Sequence, residues 1–176
     1  SADYDAEVVN VGIGGERTDQ AVKRLVRDVI AEGPTIVTIM YGTNDSYVDK
    51  GGTDSRISND QYRTFLTQIV QQLRQAGIHP VLMTEPRWAD NAVNGIGEDP
   101  NIRLEKFLDS CRDVAGELDV PLVDHYAIWS KAREQGQVIF DWTTDSCHPN
   151  AEGHAVMTDA IFPVVKAELD KILDRE

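Results

Sequence analysis

The clearest indication of the architecture is the run Thr35-Ile36-Val37-Thr38-Ile39-Met40, which is apolar and β-branched nearly throughout. Such a run is typical of a parallel strand that is buried on both faces of a sheet. Shorter runs predict three more strands, at residues 7–11, 79–84 and 120–124. Because helical patterns alternate with these strands, the sequence predicts βα units, with helices covering both faces of a parallel sheet.

Apolar spacing and capping residues predict the helices. Thr18 is expected to cap a first helix whose apolar residues recur at i, i+3 and i+4, and Ser58-Asn59-Asp60-Gln61 is a capping box that opens a second. Further helices are predicted over residues 104–115, from about Tyr126, and over residues 151–173. With no linker between them, these elements predict one domain over residues 1–176.

Composition narrows the class of partner. The chain has 176 residues, 41% of them hydrophobic and 27% charged, which suits a single compact core. Its net charge of −13, carried by scattered acidic residues, argues against nucleic acid or an anionic membrane and favours an uncharged substrate. No apolar run approaches the roughly 20 residues that span a bilayer. The histidines lack the spacing of metal ligands, so no metal is expected.

A candidate proton-transfer pair lies near the C-terminus, in Asp145-Ser146-Cys147-His148-Pro149-Asn150. Loop side chains at i and i+3 can turn back on each other, and a carboxylate that binds an imidazole fixes its tautomer and orientation. Pro149 stiffens the backbone after His148, and Asn150 is a good N-cap for the helix that follows. Surface loops that merely cap a helix also contain Asp-x-x-His, so other segments must support this interpretation.

Two further turns carry groups that could bind a developing negative charge. Asn10-Val11-Gly12-Ile13-Gly14-Gly15-Glu16-Arg17-Thr18 leads from the first predicted strand into a helix and offers backbone N–H groups. Its spacing fits no phosphate-binding loop, so no nucleotide cofactor is expected. Tyr41-Gly42-Thr43-Asn44-Asp45 follows the second predicted strand, and its side-chain amide is a suitable neutral donor unless the segment is a plain turn.

The order of these three blocks within a βα pattern resembles the SGNH hydrolases, also called GDSL-type esterases. The similarity covers nearly the whole chain, and it implies a three-layer α/β/α fold with a parallel flavodoxin-like sheet and a site at the carboxyl ends of its strands. The resemblance also implies that His148 is the general base and acid, and that Asp145 orients it.

The same resemblance implies an oxyanion hole. By position, Gly15 would give a backbone N–H to it, with Gly14 or Gly12 as the alternative if the register differs. Asn44 would give its side-chain amide to the same oxyanion, and Asp45 would support the loop.

The sequence differs from the family pattern at the position of the nucleophile. SGNH hydrolases carry a serine in a Gly-Asp-Ser turn after their first strand, and no Gly-Asp-Ser occurs in these residues. Ser1 lies too close to the strand predicted at residues 7–11. Ser46 lies two residues after Asn44, so it would have to act as the nucleophile while it is also the neighbour of an oxyanion donor. Ser146 and Cys147 lie between the acid and the base, where adjacent side chains point apart, so all four are poor candidates.

The resemblance suggests where the serine belongs. The strand at residues 7–11 corresponds to the family's second, and the family's first lies beside it in the middle of the sheet. An empty central position would leave two rows of backbone polar groups unpaired. We therefore expect a longer polypeptide whose N-terminal strand, serine and first helix precede these residues; a rearranged sheet in a non-catalytic remnant is the alternative.

Residues in loops at the same edge predict a substrate groove, namely Arg87, Trp88 and Trp142, with Trp129 and Phe140 as further candidates. Together with the acidic charge, the resemblance favours a short-chain ester, such as an acetyl ester, on a small molecule or carbohydrate. A thioesterase, a lysophospholipase-type enzyme and a non-catalytic binding module of the same fold stay open. The sequence leaves open the oligomeric state and whether Cys111 and Cys147 pair.

Overall fold

The centre of the fold is a parallel sheet of three strands in the order β1-β2-β3, seen in a computed structural model that describes residues 6–174. The strands are β1, Ile36–Met40; β2, His79–Thr84; and β3, Leu122–Asp124. In register, Ile39 pairs with Leu82, which pairs on its other side with Leu122. The parallel sheet expected from the apolar runs is confirmed.

Six α-helices surround this sheet in the described part of the chain: α1, Thr18–Asp28; α2, Thr43–Ser46; α3, Asn59–Gln75; α4, Pro100–Glu117; α5, His125–Glu134; and α6, Ala151–Leu173. Short 3₁₀ turns lie at Ile30–Glu32 and Ile139–Trp142. The predicted capping box is confirmed, since Ser58 Oγ accepts a hydrogen bond from Gln61 N. Thr18 is the first residue of α1 and Arg17 is its N-cap, one residue earlier than expected.

Alternate strand residues face opposite layers. Ile39 and Leu82 belong to a core that includes buried residues of α1, α3 and α4. Val81 and Met83 point the other way, where Ile161 of α6 packs against them. This alternation is what a two-sided parallel strand requires, and it gives the three-layer α/β/α arrangement.

The strand predicted at residues 7–11 is wrong for this structure, because the segment makes no sheet pairing. Val8 is 90% exposed and Val9 is also exposed. A strand forms only where a neighbour satisfies its backbone groups, and within residues 6–174 β1 is an edge strand with β2 as its one partner. The apolar residues of this segment are typical of a strand, but within residues 6–174 no strand pairs with it.

Candidate active site

The predicted proton-transfer pair is formed. Asp145 Oδ2 lies 2.7 Å from His148 Nδ1, while Asp145 Oδ1 accepts hydrogen bonds from the backbone N–H groups of His148 at 2.8 Å and Cys147 at 3.1 Å. Hydrogen bonds from the backbone and ring of His148 lower the pKa of Asp145 to about 2. A carboxylate only accepts, so Nδ1 carries the hydrogen and Nε2 is left as a proton acceptor in the neutral ring.

The loop that carries this pair is tightly built. Ser146 has a φ of 75°, an uncommon conformation for a residue with a side chain, and it lets Asp145 turn back onto His148. Asn150 Oδ1 accepts from the backbone of Glu152 and Gly153 and so caps α6, as predicted. The His148 side chain is 76% exposed, so the ring edge that does not face Asp145 is open to solvent.

Asn44 lies at the carboxyl end of β1, on the short helix α2. Its Oδ1 accepts a hydrogen bond from Arg56 Nη1 at 3.2 Å, and its Nδ2 has no partner within the described residues. Asn44 is half-buried. An amide nitrogen with no partner at a strand end can donate to an oxyanion, which is the property that the sequence interpretation required.

The turn with Gly15 is joined to the Asn44 loop by the residues next to each. Thr18 N and Thr18 Oγ1 both donate to Asp45 Oδ1, at 2.9 and 2.6 Å, and Tyr41 Oη donates to Glu16 Oε2 at 2.6 Å. Asp45 thus supports the loop, as expected. Gly15 has a φ of 80°.

The available N–H groups narrow the choice of donor in this turn. Gly12 N donates to Asn10 Oδ1 at 2.9 Å, so this alternative is already occupied. Within residues 6–174, the N–H groups of Gly14 and Gly15 make no hydrogen bond. Gly15 therefore stays the preferred donor, with Gly14 as the alternative.

Glu85 is a carboxyl group that the sequence interpretation missed. It follows β2 directly and is half-buried. Burial raises the pKa of Glu85 to about 7, although the Thr43 N–H opposes the shift. The charges of Asp45 and His148 also act on the Glu85 carboxyl, Asp45 raising its pKa and His148 lowering it. The sequence did contain a signal for it, because Glu85 directly follows the strand predicted at residues 79–84, and sites form at the carboxyl ends of parallel strands.

The expected groove residues have different surroundings. Trp88 is held through its backbone by Asn101, and its ring stacks on Tyr47 with centroids 6.2 Å apart. Arg87 donates to the Trp88 carbonyl and pairs with Asp90 at 3.5 Å. The main-chain N–H of Ala89 donates to Ser146 O at 2.9 Å, so this loop lies against the one that carries His148.

Two of the candidate aromatic residues contact each other. Trp129 is fully buried, which rules it out as a groove residue, and Trp142 packs edge-on against it with centroids 5.2 Å apart. Phe140 is exposed. A role for Trp142 and Phe140 in binding substrate stays a prediction.

The poor nucleophile candidates stay poor. Ser46 is 4% exposed and its hydroxyl faces Thr43 O, away from solvent.

Both cysteines are free, so Cys111 and Cys147 do not pair. Burial raises the pKa of both thiols to about 12, and thiols with such a pKa are not nucleophilic at neutral pH. Ser1 lies outside the described residues. Within residues 6–174 no serine hydroxyl hydrogen-bonds to His148 Nε2.

Over residues 6–174, no group of three or more histidine, cysteine, aspartate or glutamate side chains could hold a metal ion. No helix of that range combines the length and apolar character needed to cross a membrane.

Sequence reasoning also missed Tyr47 and Arg56, which line the same edge of the sheet as Asn44. Arg56 Cζ lies 4.9 Å from the centre of the Tyr47 ring. Arg56 is 12 residues from Asn44 in a stretch with no periodic pattern, so no sequence signal pointed to their contact.

Comparison with known proteins gives the family. Residues 1–156 match the GDSL-like Lipase/Acylhydrolase family. The chain is 32% identical over 138 residues to the uncharacterized lipoprotein YqeF of Bacillus subtilis, covering 68% of this chain and 55% of that one. It is 27% identical over 160 residues to an acetylxylan esterase of Geobacillus stearothermophilus, covering 88% of this chain and 70% of that one.

A solved structure shares the fold. The crystal structure of a catalytic mutant of Axe2, an acetylxylan esterase from Geobacillus stearothermophilus in which a serine is replaced by alanine, superposes with a TM-score of 0.72 at 23% identity. The superposition covers 89% of this chain and 71% of that one. The fold, the order of the three blocks and the family match agree, and the chain belongs to the GDSL-like Lipase/Acylhydrolase family.

Proposed function

We propose that this chain forms most of the active site of a serine esterase that hydrolyses a short-chain, acetyl-type ester on a small molecule or carbohydrate. The observation that carries the proposal is the 2.7 Å contact between Asp145 Oδ2 and His148 Nδ1, which leaves Nε2 exposed and ready to accept a proton. Asn44, with its amide nitrogen unpartnered in the described residues, adds an oxyanion donor at the same edge of the sheet.

The reaction would proceed in two acyl-transfer steps. A serine hydroxyl attacks the ester carbonyl as His148 Nε2 takes its proton, while the Asn44 amide and the Gly15 N–H bind the oxyanion. The imidazolium, stabilised by Asp145, returns the proton to the departing alcohol oxygen and leaves an acyl-enzyme. Water, deprotonated by His148, then attacks the acyl-enzyme carbonyl, and the carboxylic acid leaves as the serine recovers its hydrogen.

The serine is proposed to lie on a strand outside residues 6–174 that pairs with the free edge of β1. Two observations support this placement. Within the described residues β1 has one neighbour, β2, although Ile39 packs into the core on one side of the sheet and Met40 packs against the cluster on the other. Asn44 also follows β1 directly, so a strand added at that edge would end beside the oxyanion donor.

The substrate class rests on three features. The net charge of −13 disfavours anionic substrates and membrane surfaces. The stacked, half-buried rings of Tyr47 and Trp88 lie next to the loop that carries Asn44, and we propose that their accessible edges contact a sugar ring. One relative is an acetylxylan esterase by name, and its activity is transferred here only as a proposal.

A non-catalytic binding module is the second candidate, favoured by the absence, over residues 6–174, of a serine bound to His148 Nε2. Steady-state hydrolysis of p-nitrophenyl acetate by the full-length protein separates the two. The proposal predicts turnover that His148→Ala lowers by at least about 10³-fold. Absence of hydrolysis in the wild type, or an unchanged rate in His148→Ala, would contradict the esterase. His154→Ala, on the exposed side of α6, is the matched control and should keep full activity.

A further inference from the structure

We propose that Arg56 is a positioning residue that sets the orientation of the Asn44 amide in the oxyanion hole, an inference that rests on the proposed function. Arg56 Nη1 lies 3.2 Å from Asn44 Oδ1. A guanidinium has only donors, so the amide can face it only with its oxygen. The amide nitrogen must then point away from Arg56, where it is free to donate.

The orientation matters because an asparagine amide has two nearly isosteric ends. Rotated by half a turn, Asn44 would present its oxygen to the oxyanion and repel it instead of binding it. A donor held in advance costs no reorganisation when charge develops, which is why preorganised oxyanion holes are effective. The Arg56 contact excludes the unproductive orientation before substrate binds.

Arg56 is itself fixed without help from Asn44. Its Nη2 lies 2.7 Å from Asp49 Oδ1 and its Nε lies 3.0 Å from Asp49 Oδ2, a two-pronged ion pair. The Arg56 backbone N–H donates to Tyr47 O at 3.0 Å, and its guanidinium lies over the Tyr47 ring. Hydrogen bonds from Arg56 lower the pKa of Asp49, so the pair stays ionised at neutral pH.

The same contacts argue against a direct role for Arg56 in binding an anionic substrate. The carboxylate of Asp49 compensates the charge of Arg56, and Arg56 Nη1 already donates to Asn44. Arg56 therefore acts through Asn44, and the two side chains should behave as one unit in kinetics. Because residues that act together give non-additive effects, a double-mutant cycle measures this coupling.

The test uses the full-length protein with p-nitrophenyl acetate. Asn44→Ala should lower kcat by about 10²-fold to 10³-fold. Arg56→Ala should lower kcat by roughly 10-fold and change KM by less than about twofold, because the donor is misplaced, not removed. In the Asn44→Ala background, Arg56→Ala should cause no further loss. Arg56→Lys, with one ammonium in place of the fork, should recover part of kcat.

Arg63→Ala is the matched control, since Arg63 pairs with Glu117 at 2.6 Å on an outer surface of α3 and α4. It should leave kcat unchanged. An Arg56→Ala effect of equal size in both backgrounds, an effect on KM alone, or no effect would overturn the inference.

A second readout does not depend on activity. In NMR relaxation of the Asn44 side-chain amide, the wild type should show an ordered group and Arg56→Ala a mobile one. Unchanged order would contradict the positioning role. If the wild type lacks esterase activity, the proposed function fails, and the amide order still decides whether Arg56 fixes Asn44.

Discussion

Thr18 and Asp45 join the two halves of the proposed oxyanion hole through one oxygen atom. The backbone N–H and the hydroxyl of Thr18 both donate to Asp45 Oδ1, at 2.9 and 2.6 Å, and both side chains are fully buried. Thr18 begins the helix after the Gly15 turn, while Asp45 follows Asn44 in sequence. The separation of the two proposed donors is therefore set by a buried contact between their neighbours.

Replacing Asp45 by alanine should lower both stability and activity. The change leaves two buried Thr18 donors without an acceptor, which costs on the order of 1–3 kcal/mol each, and it frees the Gly15 turn from the Asn44 loop. Urea denaturation measures the first effect and kcat on p-nitrophenyl acetate the second. Asp54→Ala, at an exposed position, is the control and should shift stability by less than about 0.5 kcal/mol. Equal stabilities of the two variants would show that the buried contact is unimportant.

Gly153 should not tolerate a side chain. A Cβ there would lie 2.3 Å from the backbone oxygen of Trp142 and 3.2 Å from Pro149, so α6 and the His148 loop would have to separate. We expect Gly153→Ala to destabilise the protein by about 1–3 kcal/mol and to lower kcat. Gly116→Ala, in α4 with open space around the position, should be neutral or stabilising by up to about 1 kcal/mol. Thermal unfolding compares the two, and a stable Gly153→Ala variant would contradict this packing.

Glu85 should make stability fall as pH rises. Its folded-state pKa of about 7 lies above the ordinary value of 4.5, so between these values the folded protein holds a proton that the unfolded chain has released. The stability that this group contributes is therefore fully present below about pH 4.5 and is lost as the pH rises through 7, a loss of roughly 3 kcal/mol. Glu85→Gln keeps the shape and does not titrate.

The stability difference between Glu85→Gln and wild type should therefore grow in favour of the variant between pH 4.5 and 8. Denaturant titrations at a series of pH values measure it. A difference that is constant with pH would mean that Glu85 does not titrate in this range.

Asp145→Asn tests the orienting role of the acid. The amide is nearly isosteric, but it would present a donor or a weaker acceptor to His148 Nδ1 and so favour the wrong tautomer. We expect kcat to fall by about 10³-fold to 10⁴-fold while KM changes little. Asp141→Asn, in the nearby 3₁₀ turn, is the control. A loss below tenfold in Asp145→Asn would assign the orienting role to another group.

Local features of the fold and site could be predicted from sequence. The Ser58–Gln61 capping box and the Asp145–His148 contact each join residues three apart, so short-range geometry is sufficient to predict them. Asn150 as the cap of α6 is predictable for the same reason.

Features that depend on distant partners could not be predicted. The segment at residues 7–11 has the composition of a strand, but a strand also needs a neighbour, which composition does not supply. Arg56 contacts Asn44 because Asp49 and the Tyr47 ring hold the Arg56 side chain there, and Glu85 has a raised pKa because the folded chain buries its carboxyl group. These contacts arise from tertiary packing alone.

The central claim, that His148 activates a serine outside residues 6–174 in an ester hydrolase, is tested most directly by labelling the full-length protein with a fluorophosphonate. Peptide mapping by mass spectrometry then locates the phosphonylated residue. The account predicts one adduct, on a serine outside residues 6–174 other than Ser1, and its loss in His148→Ala. An adduct on Ser1, Ser46 or Ser146, or labelling that persists without His148, would contradict it.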